Sequence, residues 1–237
     1  MVNLPNDLDD AIAQAMTATG AALEAGYTRL QIDLQFPELK PMPIAKKFLP
    51  LFADLGSHLK VLFPDAGAAA LARRDWGELP CVLRSMFEAK GQLHPDDEAF
   101  LLVAPSAVEV AKVEEICQQA DDRPVVLLTP KLEDLATVGL GYAGRQLRER
   151  FLSSLETCYY IKPLEGAAIF RCYPAPWQVW HETGNSYELL AETPQRPTGE
   201  MLNQLLMPKT SEKGQQQPAR QPGFLSGIQG FLRALSQ

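Results

Sequence analysis

This chain lacks what would hold it to a nucleic acid or carry it through a bilayer. It has no basic run. Its 22 Lys and Arg stand against 29 Asp and Glu for a net charge of -7, and so acidic a fold has no means of tracking a phosphate backbone. There is no stretch of about 20 apolar residues of the kind that spans a membrane, and nothing resembles a signal peptide. The four cysteines, Cys81, Cys117, Cys158 and Cys172, stand far apart without a C-x-x-C, which suits a soluble protein of a reducing compartment. G-x-x-x-x-G-K-[ST] is also missing, and with it the lysine and magnesium hydroxyl of P-loop phosphate transfer.

What is present is a chain of 237 residues, 46% of them apolar, enough for one large α/β domain or two small ones. Near the N-terminus Asn6 reads as a helix cap, with Asp7 and Asp9 complementing the dipole, Leu8, Ile12 and Met16 on one stripe, and Gly26 closing the helix. Arg29 to Phe36 then alternates polar and apolar residues without error, which predicts a half-exposed strand near a sheet edge. The runs "LKVLF" (59–63), "AFLLVA" (99–104) and "PVVLLT" (124–129) are continuously apolar, as parallel strands covered on both faces are. "CVLRSMF" (81–87) is a further strand candidate. Helical segments separate these runs; the clearest opens on Ser106-x-x-Glu109, a capping box ahead of Val110, Val113 and Cys117. Strand and helix in alternation predict a Rossmann-like α/β fold with helices on both faces of a sheet, in three layers.

After about Leu155 strands follow one another: 157–162, 167–173, 177–182 and 187–192, joined by the turn sequences "PLEG" and "TGNS". This predicts an antiparallel C-terminal portion that extends or flanks the sheet, with a short helix over 199–207 ending an α/β domain of residues 1–207. Residues 208–223 carry no apolar side chain larger than Ala or Pro and read as a flexible linker.

Gly139-x-Gly141-x-x-Gly144 spells a dinucleotide fingerprint, but the preceding strand ends about nine residues early and the acid expected about 20 residues later is absent. No dinucleotide is expected there, and no cofactor is assigned. The milder reading is an anion site, with Gly139, Gly141, Gly144, Arg145 and Arg148 at the start of a helix. Against it, the arginines of this helix, Arg150 included, sit in water or pair with Glu149 and Glu156. His94-x-Asp96-Asp97-Glu98 has the residue types of metal ligands but reads as a solvated loop, so no metal is assigned. A hairpin turning through Leu164, Glu165 and Gly166 puts Cys158 and Cys172 directly opposite each other, as packed thiols. Tyr173, Trp177 and Trp180 are read as core anchors.

"LPNDLDDAIAQA", "LFPDAGAAALARRDWG", "VGLGYAGRQLRERFLSSLETCYYIKPL" and "FRCYPAPWQVW" together resemble a cyanobacterial and chloroplast family carrying a domain of unknown function. That family includes the Low PSII Accumulation proteins, and a similar domain is appended to some plastid adenylate kinases. The resemblance covers roughly Leu4 to Met207. It implies an auxiliary, non-enzymatic role in photosystem II assembly or maintenance near thylakoids, with assembly intermediates or other thylakoid proteins as partners, and it brings no catalytic residues. The chain opens at the domain without an Arg- and Ser-rich transit segment, which suits a cyanobacterial, cytoplasmic protein peripherally associated with thylakoids.

On a helical wheel Phe224, Leu225, Ile228, Phe231, Leu232 and Leu235 of the segment 224–237 fall within an arc of about 120°. Gly227 and Gly230 each disfavour that helix by about 1 kcal/mol, so it is expected to form only against a partner. Beyond Met207, Lys209, Lys213, Arg220 and Arg233 stand against Glu212, a balance of +3 that leaves -10 on the rest of the chain. A tethered cationic amphipathic helix on an acidic body suits an anionic membrane surface, a groove on a client protein, or its own domain. The alternative function is a phosphate- or nucleotide-binding enzyme or sensor using Gly139 to Arg148.

Overall fold

The computed structural model describes residues 3–88, 93–132, 142–184 and 186–206. Its frame is a nine-stranded sheet in the order β3-β2-β4-β5-β1-β6-β7-β8-β9. The strands are β1 (Arg29–Leu34), β2 (Leu59–Phe63), β3 (Val82–Ser85), β4 (Ala99–Val103), β5 (Val125–Leu128), β6 (Glu156–Leu164), β7 (Ala167–Cys172), β8 (Trp177–Thr183) and β9 (Ser186–Thr193). Pairing is parallel from β3 through β6 and antiparallel from β6 through β9. The C-terminal meander therefore extends the parallel sheet.

Three helices lie on one face: α1 (Leu8–Glu24), α2 (Pro41–Phe48) and α3 (Ala66–Trp76). On the other lie α4 (Val110–Gln119) and the segment from α5 (Tyr142–Arg150) to Leu155, while α6 (Gly199–Leu206) reaches the meander through Leu202. The alternating side chains of a strand divide between the two cores. Leu101 and Val103 pack with the α1 side, and Phe100 and Leu102 with the α4 side. The α/β sheet with its antiparallel C-terminal part is thus as the strand and helix rhythm predicts.

Local expectations fare unevenly. Asp7, not Asn6, caps α1, its carboxylate accepting from Asp10 N at 2.7 Å, while Asn6 donates to the Asp10 carboxylate. α1 approaches the sheet closely because its buried face is small: Ala11, Ala15, Ala18, Thr19 and Ala22 are fully buried beside Ile12. Gly26 takes the positive φ of 89° that follows the helix. Half of the capping box forms: Glu109 Oε2 accepts from Ser106 N at 2.8 Å and from Ser106 Oγ at 2.6 Å, while Ser106 Oγ accepts from Val108 N at 3.2 Å and the α-helix begins only at Val110.

Cys158 and Cys172 are not directly opposite. Cys172 pairs with Tyr159, because the turn holds only Glu165 and Gly166 and the register set by Leu164 opposite Ala167 runs unshifted along the hairpin. Both cysteines are free thiols, and so are Cys81 and Cys117. Trp177 and Trp180 are core residues as expected, and Tyr173 is half-buried, edge-on to Tyr27 at 5.6 Å.

The largest correction concerns β1. It is no edge strand but the fifth of nine, hydrogen-bonded to β5 on one side and β6 on the other. Its apolar residues Leu30, Ile32 and Leu34 fill the α1-side core. Its polar residues line the other face, at the join between the parallel and antiparallel halves of the sheet.

Candidate functional site: the polar face of the central strand

Parallel strands end together, and β1, β2, β4 and β5 each run into an X-Pro pair: Phe36-Pro37, Phe63-Pro64, Ala104-Pro105 and Thr129-Pro130. A proline has no N–H to continue a ladder and turns the chain out of the sheet. From β1 the chain leaves towards α2 on one face, and from the neighbouring β5 towards α5 on the other. Adjacent strands whose connections diverge in this way open a crevice at their carboxyl ends, the usual ligand position in open α/β sheets.

The polar residues of β1 divide their work along the strand. At the amino end Arg29 donates to the carbonyls of Thr28, Cys117, Asp121 and Arg123, tying the end of α4 to the sheet. In the middle Gln31 donates to Thr157 Oγ1 at 2.6 Å. Both are structural. At the carboxyl end stands Asp33, half-buried, with Gln35 Nε2 donating to one carboxylate oxygen at 2.7 Å. Burial raises the Asp33 pKa above the ordinary carboxylate value, opposed by the Gln35 bond and by the positive charges of Arg196, Lys162 and Lys131.

These cations reach the crevice from three directions. Lys131 follows β5, where its N–H donates to Pro105 O at 2.7 Å. Lys162 lies on β6, two residues beyond Tyr160, whose Cα is paired with that of Asp33. Arg196 arrives on the segment that returns after β9. It donates to Tyr160 Oη at 2.6 Å and lies over the Tyr160 ring at 4.5 Å. Burial pushes the Tyr160 phenol up to about 12, so it is a neutral O–H at physiological pH. Beyond it, Trp177 lies against Tyr160 at 5.1 Å, and Arg171 over Trp177 at 5.5 Å pairs with Glu156.

Thr129 completes the rim. Its N–H donates to Ile32 O at 2.7 Å, which places it beside the Ile32–Asp33 step. Its φ is +49°, a left-handed conformation rare for a β-branched residue, and Ala104 at the end of the neighbouring β4 has the same value. Thr129 is 5% exposed, and its hydroxyl has no hydrogen-bond partner among the described residues.

The glycine-loop residues are only partly placed. Gly139 and Gly141 lie outside the described residues. Gly144 is buried within α5, and Arg145 and Arg148 are exposed on it. Arg150 pairs with Glu114 through two bonds of 2.7 Å instead of with Glu149 or Glu156, and Glu156 pairs with Arg171. Phe224, Leu225, Ile228, Phe231, Leu232 and Leu235, with the whole segment from 207, also lie outside the described residues.

Elsewhere the reactive residue types are in structural use. Asp97 forms a buried pair with Lys60 at 2.6 Å, which anchors the His94 turn at the amino ends of the strands. Among the described residues no group of three or more His, Cys, Asp or Glu is placed to hold a metal. Burial pushes the thiols of Cys117, Cys158 and Cys172 up to about 11, away from the nucleophilic thiolate. A shallow cleft beside β3 is lined by Arg73, Cys81 and Arg84, but Arg73 is committed to Leu83 O and Arg84 to Glu88.

The sequence pointed to the crevice only indirectly. Its members come from positions 33, 129, 131, 160, 162 and 196, too dispersed for a motif. The available signals were the unbroken polar stripe on β1 and the proline after each of four strands. The family described as Domain of unknown function (DUF1995) matches residues 5–204, and the chain belongs to that family. No solved structure matches the chain.

Proposed function

We propose that the protein is a non-enzymatic auxiliary factor in photosystem II assembly or maintenance, held at the thylakoid surface or on a client there by its C-terminal amphipathic segment. The observation that carries the reading is the division of charge and apolarity along the chain. A body of balance -10 is followed by a linker and a +3 segment whose six large apolar residues fall on one helical arc. No helix among the described residues is long and apolar enough to cross a membrane. The photosynthetic context rests on the sequence resemblance to the Low PSII Accumulation proteins, and the DUF1995 match adds the domain family alone. The chemistry of the body also fits binding, since three of its four thiols are buried and a set of cations converges on the Asp33 carboxylate.

The test is deletion of residues 209–237, which moves the tagged protein from the membrane to the soluble fraction and leaves the melting temperature nearly unchanged. Phe231→Glu reproduces much of that shift by placing a charge on the apolar arc. Liposomes with and without anionic lipid separate lipid binding from a protein client. A truncated chain that melts several degrees lower while membrane association is unchanged makes the segment an intramolecular strap and ends this reading.

A second reading, a phosphate- or nucleotide-binding enzyme or sensor, uses Gly139, Gly141, Gly144, Arg145 and Arg148. It is favoured by the exposure of Arg145 directly after Gly144 on α5. Its test is a nucleotide-induced rise in melting temperature that Arg145→Ala with Arg148→Ala removes.

A further inference from the structure

We propose that the crevice at the carboxyl ends of β1, β5 and β6 binds a small phosphate monoester, with its phosphate held between Lys131 and Lys162 and a hydroxyl of its carbon skeleton accepted by Asp33. This site depends neither on the tail nor on the arginines of α5. It therefore stands or falls separately from both readings above.

Charge comes first. Three cations act on one half-buried carboxylate, which leaves the cluster at +2 on a protein of net charge -7. If these groups served only to stabilise Asp33, one close ion pair would suffice. Yet no ion pair joins Asp33 to Lys131, Lys162 or Arg196, and its bonding partner is the neutral amide of Gln35. Among the described residues neither Lys131 nor Lys162 has an ion pair or a side-chain hydrogen bond. A phosphate monoester, at about -1.5 to -2 near neutral pH, matches that surplus. The acidic body disfavours an extended polyanion, which limits the ligand to a small one.

An orphaned hydroxyl lies at the same place. A buried polar atom without a partner destabilises the fold by about 1–3 kcal/mol, and such groups in native proteins need an explanation. Thr129 Oγ1 is one of two buried side-chain polar atoms without a partner among the described residues. It sits where β5 meets β1, on a left-handed backbone that disfavours its own residue type. Strain and an unmet donor between Asp33 and Lys131 are what a site ordered in advance for a ligand oxygen contains. The other orphan, Arg171 Nε, lies further along the same face, in the Trp177 stack.

Donors and acceptors are divided around the crevice. Two ammonium groups and a threonine hydroxyl donate, as a phosphate requires. Gln35 occupies one oxygen of Asp33, and among the described residues the other has no protein donor, so it is open to a ligand hydroxyl. Arg196 donates to the Tyr160 oxygen and thereby leaves the phenolic proton free to donate onward. A carboxylate inside a purely phosphate-binding cluster would repel its ligand. Its presence specifies a ligand with an anionic end and a hydroxylated end.

The experiment is calorimetric titration of the full chain with inorganic phosphate, ribose 5-phosphate, ribose and succinate. Ribose 5-phosphate binds saturably and about tenfold more tightly than inorganic phosphate, the worth of one hydrogen bond to a charged group. Ribose alone does not bind detectably, and succinate binds more weakly than the ester. Asp33→Asn removes the advantage of the ester over phosphate while phosphate affinity holds or rises. Lys131→Gln with Lys162→Gln weakens both ligands by at least about tenfold. Lys131 is exposed and Lys162 half-buried, so these variants fold, as circular dichroism checks. Arg145→Ala leaves binding unchanged. The proposal is overturned if neither phosphate nor ester binds, if succinate binds more tightly than the ester, or if binding survives the lysine pair but is lost with Arg145→Ala.

Discussion

β1 and β9 both alternate in burial along the strand and occupy opposite stations in the sheet. Among the described residues β9 is an edge, paired only with β8, and its outward row of Ser186, Glu188, Leu190 and Glu192 is exposed. Charges in such a row keep an open edge from templating further strands. β1 lies at the centre, and its polar row meets Thr157, Gln35 and the carbonyls at the end of α4. Alternation thus reports that one face of a strand leaves the apolar core, but not whether that face meets solvent or a polar interior. In an otherwise buried parallel sheet, a polar stripe marks a place kept for something other than packing.

The difference predicts a graded response to mutation, measured by urea unfolding. Ile32→Ala empties a fully buried position on the core face of β1 and lowers stability by about 2–5 kcal/mol. A loss under 1 kcal/mol would place β1 in a looser setting than a central strand. Arg29→Ala leaves the carbonyls at the end of α4 without their donor and lowers stability by about 1–3 kcal/mol, far more than a polar residue of an edge strand would.

Asp33→Asn acts in the opposite direction. The folded-state pKa of Asp33 is raised, chiefly by burial, so ionising it opposes folding. The penalty is absent in acid, where both states are protonated. It grows as pH rises from the ordinary value of 3.8 through the higher folded value, and is constant above it. Asparagine therefore raises the melting temperature at neutral pH and makes no difference well below 3.8. A variant less stable than the parent at neutral pH would make Asp33 a structural residue like Arg29.

On β9, Leu190→Ala at a position 42% exposed changes stability by no more than about 0.5 kcal/mol. A larger loss would mean that the edge is covered in solution, which sedimentation of the same samples detects.

These contrasts also show how far the sequence is legible. Buried strands such as Leu59–Phe63 and Ala99–Val103 are plain as apolar runs, because covering on both faces leaves little room for polar residues beyond Lys60, whose charge is met by Asp97. Strand order is not, since it depends on pairings such as Leu30 with Glu156 that no local spacing encodes. The glycine loop drew notice because its motif is contiguous. The crevice escaped it because Asp33, Lys131, Lys162 and Arg196 become neighbours only when β5 and β6 flank β1. The isolated polar side chains of three strands look like ordinary solvated faces until the sheet order is known.

The most direct test of the polar face as a binding crevice is a crystal structure of the full chain grown with tungstate, a phosphate mimic that scatters anomalously. The account predicts an anomalous peak within hydrogen-bonding reach of Lys131 Nζ, Lys162 Nζ and Thr129 Oγ1, displaced by ribose 5-phosphate. A crevice filled by the protein's own side chains, with tungstate seated instead beside Arg145 and Arg148, would contradict it.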